Sequence, residues 1–429
     1  MSRPNHQQEH CGSYYAATLN NTSTYPAISE SLSVDVCVIG GGFTGVSTAL
    51  TLAERGHRVA LVEANRIGWG ASGRNGGQLI YGFSGASRIV KQYGESIAPR
   101  VREMEWRGNE IIRERIEKYA IDCDLKDGYM EVARNEQQMR ILEEDFREYQ
   151  DSDFKHGVKL LDKSELQSTI GTDRYLGGLL NYGNGHLHPL NLCRGEAQAA
   201  LDLGVKVFEQ SPVIDIRHGT PNKVILENAQ ISAKYVVLAG NAYHRLERKS
   251  LGGLLFPANS YIIATQPLEQ STIDRINPLD VAICDMNNVP DYYRLSPDKR
   301  MLFGGVSNYS GRELRDIKAC LLPRMLRLYP ELEDARIDYE WGGTMGIIVR
   351  RVVLMGRISD TVFFSQGYSG HGVSATHMAG EVLADAVEGK FERLELFENI
   401  RHFPIPLGDF LGRNLVALGM LYYKLLDNI

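Results

Sequence analysis

The run Val34-Asp-Val-Cys-Val-Ile-Gly-Gly-Gly-Phe-Thr-Gly-Val46 constrains the fold more than any other part of the chain. An apolar strand leads straight into Gly40-x-Gly42-x-x-Gly45, and a helix-forming segment follows. A second apolar strand, Arg58-Val-Ala-Leu-Val62, ends on Glu63. Strand, glycine turn, helix and strand in this order make a nucleotide-binding βαβ unit. Gly40 supplies the tight turn, Gly42 lets backbone approach a pyrophosphate, and Gly45 lets the helix pack closely on the sheet. Phe43 and Thr44 open the helix, where unpaired N–H groups and the helix dipole favour an anion. Glu63, followed by Ala64, is placed to accept hydrogen bonds from ribose hydroxyls, and its charge disfavours a 2′-phosphate. A dinucleotide near the N-terminus makes the chain a candidate redox enzyme.

At 429 residues the chain has room for two domains or one elaborated domain. Its 47 basic and 53 acidic side chains leave a net charge of -6, which gives no support for a nucleic-acid surface. The six cysteines form no C-x-x-C pair, so reduced thiols and a cytoplasmic setting are expected, and no residue is assigned to a metal. Residues 1–30 are polar and tyrosine-rich with no apolar leader core, and read as a surface arm lying over the domain or as a disordered leader. The apolar stretch Leu411 to Leu426 is broken by Arg413, Asn414 and Lys424, which suits a docked amphipathic helix better than a membrane segment.

Further along, Ile67-Gly-Trp-Gly-Ala-Ser-Gly-Arg-Asn-Gly-Gly-Gln-Leu79 holds five glycines, as backbone close to a ligand or a turn-rich structural loop would. Residues 97–118 and 136–150 have the pattern of charged amphipathic helices and open a second domain. Return to the first domain is expected near residue 190, with short strands at 205–208, 213–216 and 223–226, then the buried strand Tyr235-Val-Val-Leu-Ala-Gly240. Pro257 to Thr265 starts a new strand region, and Tyr292–Leu295 with Met301–Gly305 predicts a hairpin. The resulting fold class is α/β: a Rossmann-like domain on a βαβ-type sheet, with a second α+β domain on a mixed or antiparallel sheet. Residues 31–90, 190–256 and 345–390 fall in the first domain and 91–189 and 257–344 in the second, with a tail over 391–429.

A second strand–glycine–helix junction lies far from the first. Strand Val362-Phe-Phe-Ser365 feeds Gln366-Gly-Tyr-Ser-Gly-His-Gly372 and a helix from Val373. Two such junctions can hold both ends of a long cofactor. A reduced flavin ring carries negative charge that a helix N-terminus stabilises, so the pattern favours a flavin over a nicotinamide; a plain structural turn is the alternative.

Taken together, these motifs resemble the glycine oxidase, sarcosine oxidase and D-amino-acid oxidase superfamily of FAD-dependent amine oxidoreductases. The resemblance rests on the loop at 67–78, Gly183-Asn-Gly-His-Leu-His-Pro-Leu190, Ala239-Gly-Asn-Ala-Tyr243, Asp291-Tyr-Tyr-Arg-Leu295 and the loop at 366–372. It extends from Ser13-Tyr-Tyr-Ala16 towards the tail, and the tyrosine-rich arm favours the branch that oxidises gamma-glutamylputrescine. The resemblance implies hydride loss from the amine-bearing carbon to FAD, hydrolysis of the imine to gamma-glutamyl-gamma-aminobutyraldehyde and ammonia, and reoxidation by molecular oxygen to hydrogen peroxide. It implies that Ser72, Gly73, Arg74, Asn75, Gly76 and Gly77 line the flavin, that Val213 meets the adenine, and that Ala239, Gly240 and Asn241 approach the cofactor's middle. Gly367, Gly370, His371, Gly372 and Val373 then face the ring. His371 either tunes the flavin or the oxygen reaction, or caps the helix. Tyr292, Tyr293, Arg294 and Trp341, with Tyr261 as a weaker member and Arg74 beside them, are candidate channel or anchor residues, or else core. Asp285 or Asp291 could attract the cationic amine. Relatives with covalent flavin use a cysteine in the C-terminal part; none follows Cys320, so noncovalent FAD is expected. Arg350 and Arg351 could bind a substrate carboxylate or simply be solvated. The expected partners are a small-molecule amine and oxygen, with no nucleic acid and no integral membrane association; a homo-oligomer stays open. A glycine- or sarcosine-type oxidase, an amine dehydrogenase and a noncatalytic FAD-binding subunit are the competing readings.

Overall fold

The computed structural model describes residues 9–308 and 313–404. Among these residues the strands form two sheets. In the first, Leu32–Ile39 is flanked by parallel strands Val59–Val62 and Gln230–Leu238. Lys206–Phe208 and Val362–Gln366 extend the parallel layer at either end, and Leu354–Ser359 closes it antiparallel. The central strands are apolar on both faces because helices cover one side and a hairpin and loops the other, as a parallel layer requires. Helices Phe43–Glu54 and Val373–Val387 pack together; a Cβ on Gly380 would lie 2.6 Å from Ser47 Oγ, so the backbones meet closely there.

The second sheet runs Ile337–Ile348, Leu255–Thr265, Met301–Asn308, Tyr292–Leu295, Ala282–Asp285, Lys126–Ala133, Gly177–His186 and Gln78–Leu79, with Val158–Leu161 paired to Gly177–His186. All pairings are antiparallel except that of Ala282–Asp285 with Lys126–Ala133. The architecture is a two-domain α/β fold. Gln78–Leu79 joins the second sheet. Helix Ala98–Lys118 turns Val101, Met104 and Ile112 into the same core as Phe43–Glu54 and Val373–Val387. Its apolar face therefore serves the nucleotide-binding layer, while Asn109 and Arg113 reach the carbonyl of Gly183 in the second sheet.

The tyrosine-rich arm lies on the second sheet. Tyr15 is fully buried and meets Trp341 edge-on at 5.3 Å, and Tyr14 donates a 2.7 Å hydrogen bond to Asp298. The stretch Leu411 to Leu426 lies outside the described residues. No helix among the described residues is long and apolar enough to cross a membrane.

Candidate active site

Both glycine junctions open on one cavity of about 1460 Å³ between the two sheets. This exceeds the roughly 300–1,000 Å³ of a single-ligand pocket and leaves room for a cofactor and a substrate together. At the first junction Gly40 has φ +113°, and its N–H donates to Val62 O at 2.8 Å. A Cβ on Gly45 would fall 1.8 Å from Gly40 O, so the helix can sit against the strand end only with glycine there. Helix Phe43–Glu54 starts at Gly42 and helix Val373–Val387 at Gly372, neither of which has a side chain to cap its helix. Two such helix starts on one cavity fit a ligand with anionic groups at separate points, as FAD has.

Gly40, Gly42, Phe43, Thr44, Glu63 and Ala64 line this end of the cavity. Glu63 accepts from Gly41 N at 2.6 Å and from Asn65 N at 2.8 Å, so it also braces the turn. Burial pushes its pKa up against those bonds. Ser72, Arg74, Asn75 and Gly76 line the next part, with Val213, Ala239, Gly240 and Asn241. Ser72 Oγ accepts from Phe43 N at 2.9 Å, which ties the glycine loop to the helix start. Asn75 pins the loop from within, donating to Ser72 O and accepting from Gly77 N, both at 2.8 Å. Asn241 Oδ1 accepts from Gly367 N at 3.0 Å and joins the two junctions. Gly370, His371, Gly372 and Val373 reach the cavity, whereas Gly45, Gly73, Gly77 and Gly367 stand behind its wall.

His371 Nε2 donates to Tyr81 O at 3.0 Å, and burial lowers its pKa, so the ring is neutral with its lone pair on Nδ1. Tyr368 OH bonds Thr44 Oγ1 at 2.8 Å and Ser365 Oγ at 2.7 Å, a further tie between the two helix starts.

The second-sheet candidates divide. Tyr292 lines the cavity, with its hydroxyl 3.2 Å from Ser260 Oγ. Tyr293, one residue on, points to the opposite face and stacks on Phe303 at 5.7 Å within the domain core. Tyr261 is also core, accepting from Leu314 N. Arg294 and Trp341 do not line the cavity. They instead hold the loop that does: Arg294 Nε donates to Gly76 O at 2.9 Å, and Trp341 Nε1 donates to Arg74 O at 3.0 Å. Arg74 spends its own guanidinium on Trp69 O at 2.8 Å and lies 4.4 Å over the Trp69 ring. A contact role for Tyr293, Arg294 and Trp341 is thus corrected to core packing for the first and loop support for the other two. Arg294 is 1 % exposed, and its charged hydrogen bond to Gly76 is worth about 1.5–3 kcal/mol. Arg294→Met is expected to lower both the flavin-to-protein absorbance ratio and the melting temperature; an unchanged ratio would show the loop to be held without it.

Asp285 and Asp291 are already paired. Arg134 Nη2 lies 2.7 Å from Asp285 and 3.1 Å from Asp291, and Arg324 Nε lies 2.5 Å from Asp291. Of the two arginines at 350–351, Arg351 reaches the cavity and donates to Ser369 O, whereas Arg350 sits over the Phe403 ring. Tyr81, Glu105, Glu131, Asp145, Tyr149 and Asn181 also line the cavity and escape sequence reasoning, since they come from separate elements and form no spaced motif. Only the i, i+4 pair Asp145/Tyr149 and the alternation Tyr129/Glu131 signal a shared face.

A family model described as FAD dependent oxidoreductase (DAO) matches residues 35–386. The chain is 41% identical over 424 residues to gamma-glutamylputrescine oxidoreductase of Escherichia coli K12, covering 98% of this chain and 99% of that protein. It is 42% identical over 427 residues to the probable oxidoreductase OrdL of Haemophilus influenzae, covering 98% of each. The glycine oxidase structure from Geobacillus kaustophilus shares the fold, with a TM-score of 0.71 at 22% identity over 86% of this chain and 99% of that one. With the two glycine junctions, their helix starts and the shared cavity in place, the chain belongs to the DAO family of FAD-dependent oxidoreductases.

Proposed function

We propose that this enzyme oxidises the terminal primary amine of gamma-glutamylputrescine, giving gamma-glutamyl-gamma-aminobutyraldehyde, ammonia and hydrogen peroxide from substrate, water and oxygen. The coarser reaction, FAD-dependent oxidation of an amine or amino acid, is that of its relatives as a group. The observation that carries the reading is the unbroken cavity from the nucleotide cradle at Gly40–Thr44 to a polar lobe beside His371. Noncovalently bound FAD supplies the two-electron acceptor for the hydride and passes the electrons to oxygen.

The chain's own residues bind, orient and exclude water. Helix Phe43–Glu54 and Glu63 hold the nucleotide half. The loop at 70–76, braced by Arg294 and Trp341, supports the middle. Gly370–Val373 would offer a helix start to the flavin ring, which carries more negative charge when reduced. The neutral His371 offers a hydrogen-bond acceptor there without adding charge. Tyr292 borders the substrate side, and Arg351 is the candidate partner for the glutamyl carboxylate.

Anaerobic mixing with gamma-glutamylputrescine, putrescine, sarcosine and glycine at matched concentration tests this directly. Fast loss of the oxidised-flavin absorbance is expected with gamma-glutamylputrescine. Equal or faster bleaching by sarcosine or glycine would overturn the substrate assignment. Flavin that no amine bleaches would favour a noncatalytic subunit.

A further inference from the structure

The far lobe of the cavity gathers carboxylates that form no ion pair among the described residues. Glu131 and Tyr129 alternate on one face of strand Lys126–Ala133, and the register places Asn181 opposite Tyr129 and Cys284 beside Glu131 on that same face. Asp145 and Tyr149, one turn apart on helix Glu136–Gln150, cover the lobe from above. Glu105 enters from helix Ala98–Lys118. All three carboxylates are half-buried, and none forms a salt bridge or a side-chain hydrogen bond among the described residues.

The lobe adjoins the reacting end. A Cβ placed on Gly82 would lie 3.6 Å from Glu105 Oε1 and 3.7 Å from His371 Nε2. Tyr149 bonds Tyr81 through their hydroxyls, and Tyr81 O accepts from His371. Burial pushes Glu105 and Glu131 up to about 7, and raises Asp145 as well. Glu144 and Glu148 add negative charge around Asp145, and Arg102 is the one cation that tempers Glu105. Partly buried carboxylates without a partner cost free energy that a bound cation recovers.

A second feature points to a ligand independently. Asn181 is 3 % exposed and lines the cavity; its Oδ1 accepts from Gly183 N at 2.8 Å, and its buried Nδ2 makes no close hydrogen bond among the described residues, the Tyr149 hydroxyl being the group it acts on. That amide lacks a well-formed bond, and a small rotation would let it donate to an acceptor in the lobe, of the kind an amide carbonyl in the substrate provides.

We infer that Glu105, Glu131 and Asp145 seat the substrate's ammonium group and make the enzyme selective for amines with no carboxylate on the amine-bearing carbon. The inference rests on the amine-oxidase reading above and assigns its specificity to residues. An α-amino acid would bring a further carboxylate beside three acidic groups whose ionisation burial already opposes, where repulsion works against binding. A primary amine brings one positive charge and nothing to repel, and Asn181 serves an acceptor further along its chain.

Three inert probes separate these terms, because none has a hydrogen on the carbon that would be oxidised. They are tert-butylammonium, 2-methylalanine, which replaces one methyl by a carboxylate, and neutral tert-butanol. Binding to the oxidised holoenzyme is read by calorimetry and by the shift in flavin absorbance. The wild type is expected to bind tert-butylammonium about tenfold or more tighter than 2-methylalanine. Glu131→Gln and Glu105→Gln are each expected to weaken tert-butylammonium binding about tenfold, to narrow the gap to 2-methylalanine, and to leave tert-butanol unchanged. Flavin content and melting temperature show that each variant is folded, and either single variant suffices should the other fail to fold. Unchanged cation affinity in folded variants would overturn the inference while leaving amine oxidation intact. Carboxylate-dependent cation binding in an enzyme that no amine bleaches would instead sink the amine-oxidase reading alone.

Discussion

Gly45→Ala is expected to yield protein without flavin. The added methyl would sit 1.8 Å from the carbonyl oxygen of Gly40 and 3.4 Å from the Ala239 side chain. A backbone oxygen in the tight turn cannot swing aside as a side chain can, so the helix must lift from the strand end. Overpacking of this kind costs about 1–3 kcal/mol, occasionally more, and it displaces the N–H groups that would face the pyrophosphate. Gly42→Ala makes the informative control. There the new methyl meets chiefly Ser72 Oγ, at 2.9 Å, and that side chain can turn. Gly42→Ala should therefore melt close to wild type and lose flavin only by crowding the cofactor. Flavin-to-protein absorbance after gel filtration, with a melting curve for each variant, checks both. A Gly45→Ala protein carrying the wild-type complement of flavin would mean that the nucleotide lies elsewhere.

The second large effect is expected from a residue remote from the chemistry. Glu196 is fully buried and receives hydrogen bonds from Arg115 Nη1 and His377 Nε2, each at 3.0 Å. Arg115 in turn donates to Ser47 Oγ and Thr51 Oγ1 on helix Phe43–Glu54, and His377 belongs to the opening turns of helix Val373–Val387. One carboxylate thus fastens together the two helices whose starts face the cofactor. Burial alone would raise its pKa, but His377 and Arg115 hold it below the ordinary 4.5. Because the folded value is depressed, its contribution is fully present above the ordinary 4.5 and is lost as the pH falls from there through the folded value. Glu196→Ala leaves Arg115 with only the looser Glu54 contact at 3.7 Å and takes the acceptor from His377, and breaking a buried pair costs at most about 3–5 kcal/mol. The variant should melt well below wild type at pH 7 and bind FAD more weakly. A melting temperature within a degree or two of wild type would show that the network carries no net stability.

Several of the sequence expectations rest on local chemistry, and those coincide with the structure. The helix at Val373–Val387, the hairpin of Tyr292–Leu295 with Met301–Asn308, and the charged helix Glu136–Gln150 each follow from patterning within a few residues. Helix Ala98–Lys118 was legible as a helix, but which layer it serves was not. Its apolar face would satisfy either domain, and only the packing partners choose.

The same division holds in the site. The sequence by itself determined the two strand–glycine–helix junctions, because a tight turn, a close backbone approach and a helix start are short-range demands that glycine meets locally. Tyr292 and Tyr293 were both candidate channel or anchor residues, although alternation along an extended backbone sends neighbours to opposite faces. Which of the two faces the cavity was decided by the tertiary structure, where Phe303 and Tyr329 pack around Tyr293 and leave Tyr292 on the other side. Arg294 and Trp341 became supports of the glycine loop for the same reason: their partners, Gly76 O and Arg74 O, lie more than 200 residues away along the chain. The lobe of Glu105, Glu131 and Asp145 exists only after two helices and a strand have been folded onto one end of the cavity. Each of those carboxylates reads in the sequence as an ordinary solvated charge. It is burial around one lobe of the cavity, with only Arg102 to temper Glu105, that gives them their chemistry.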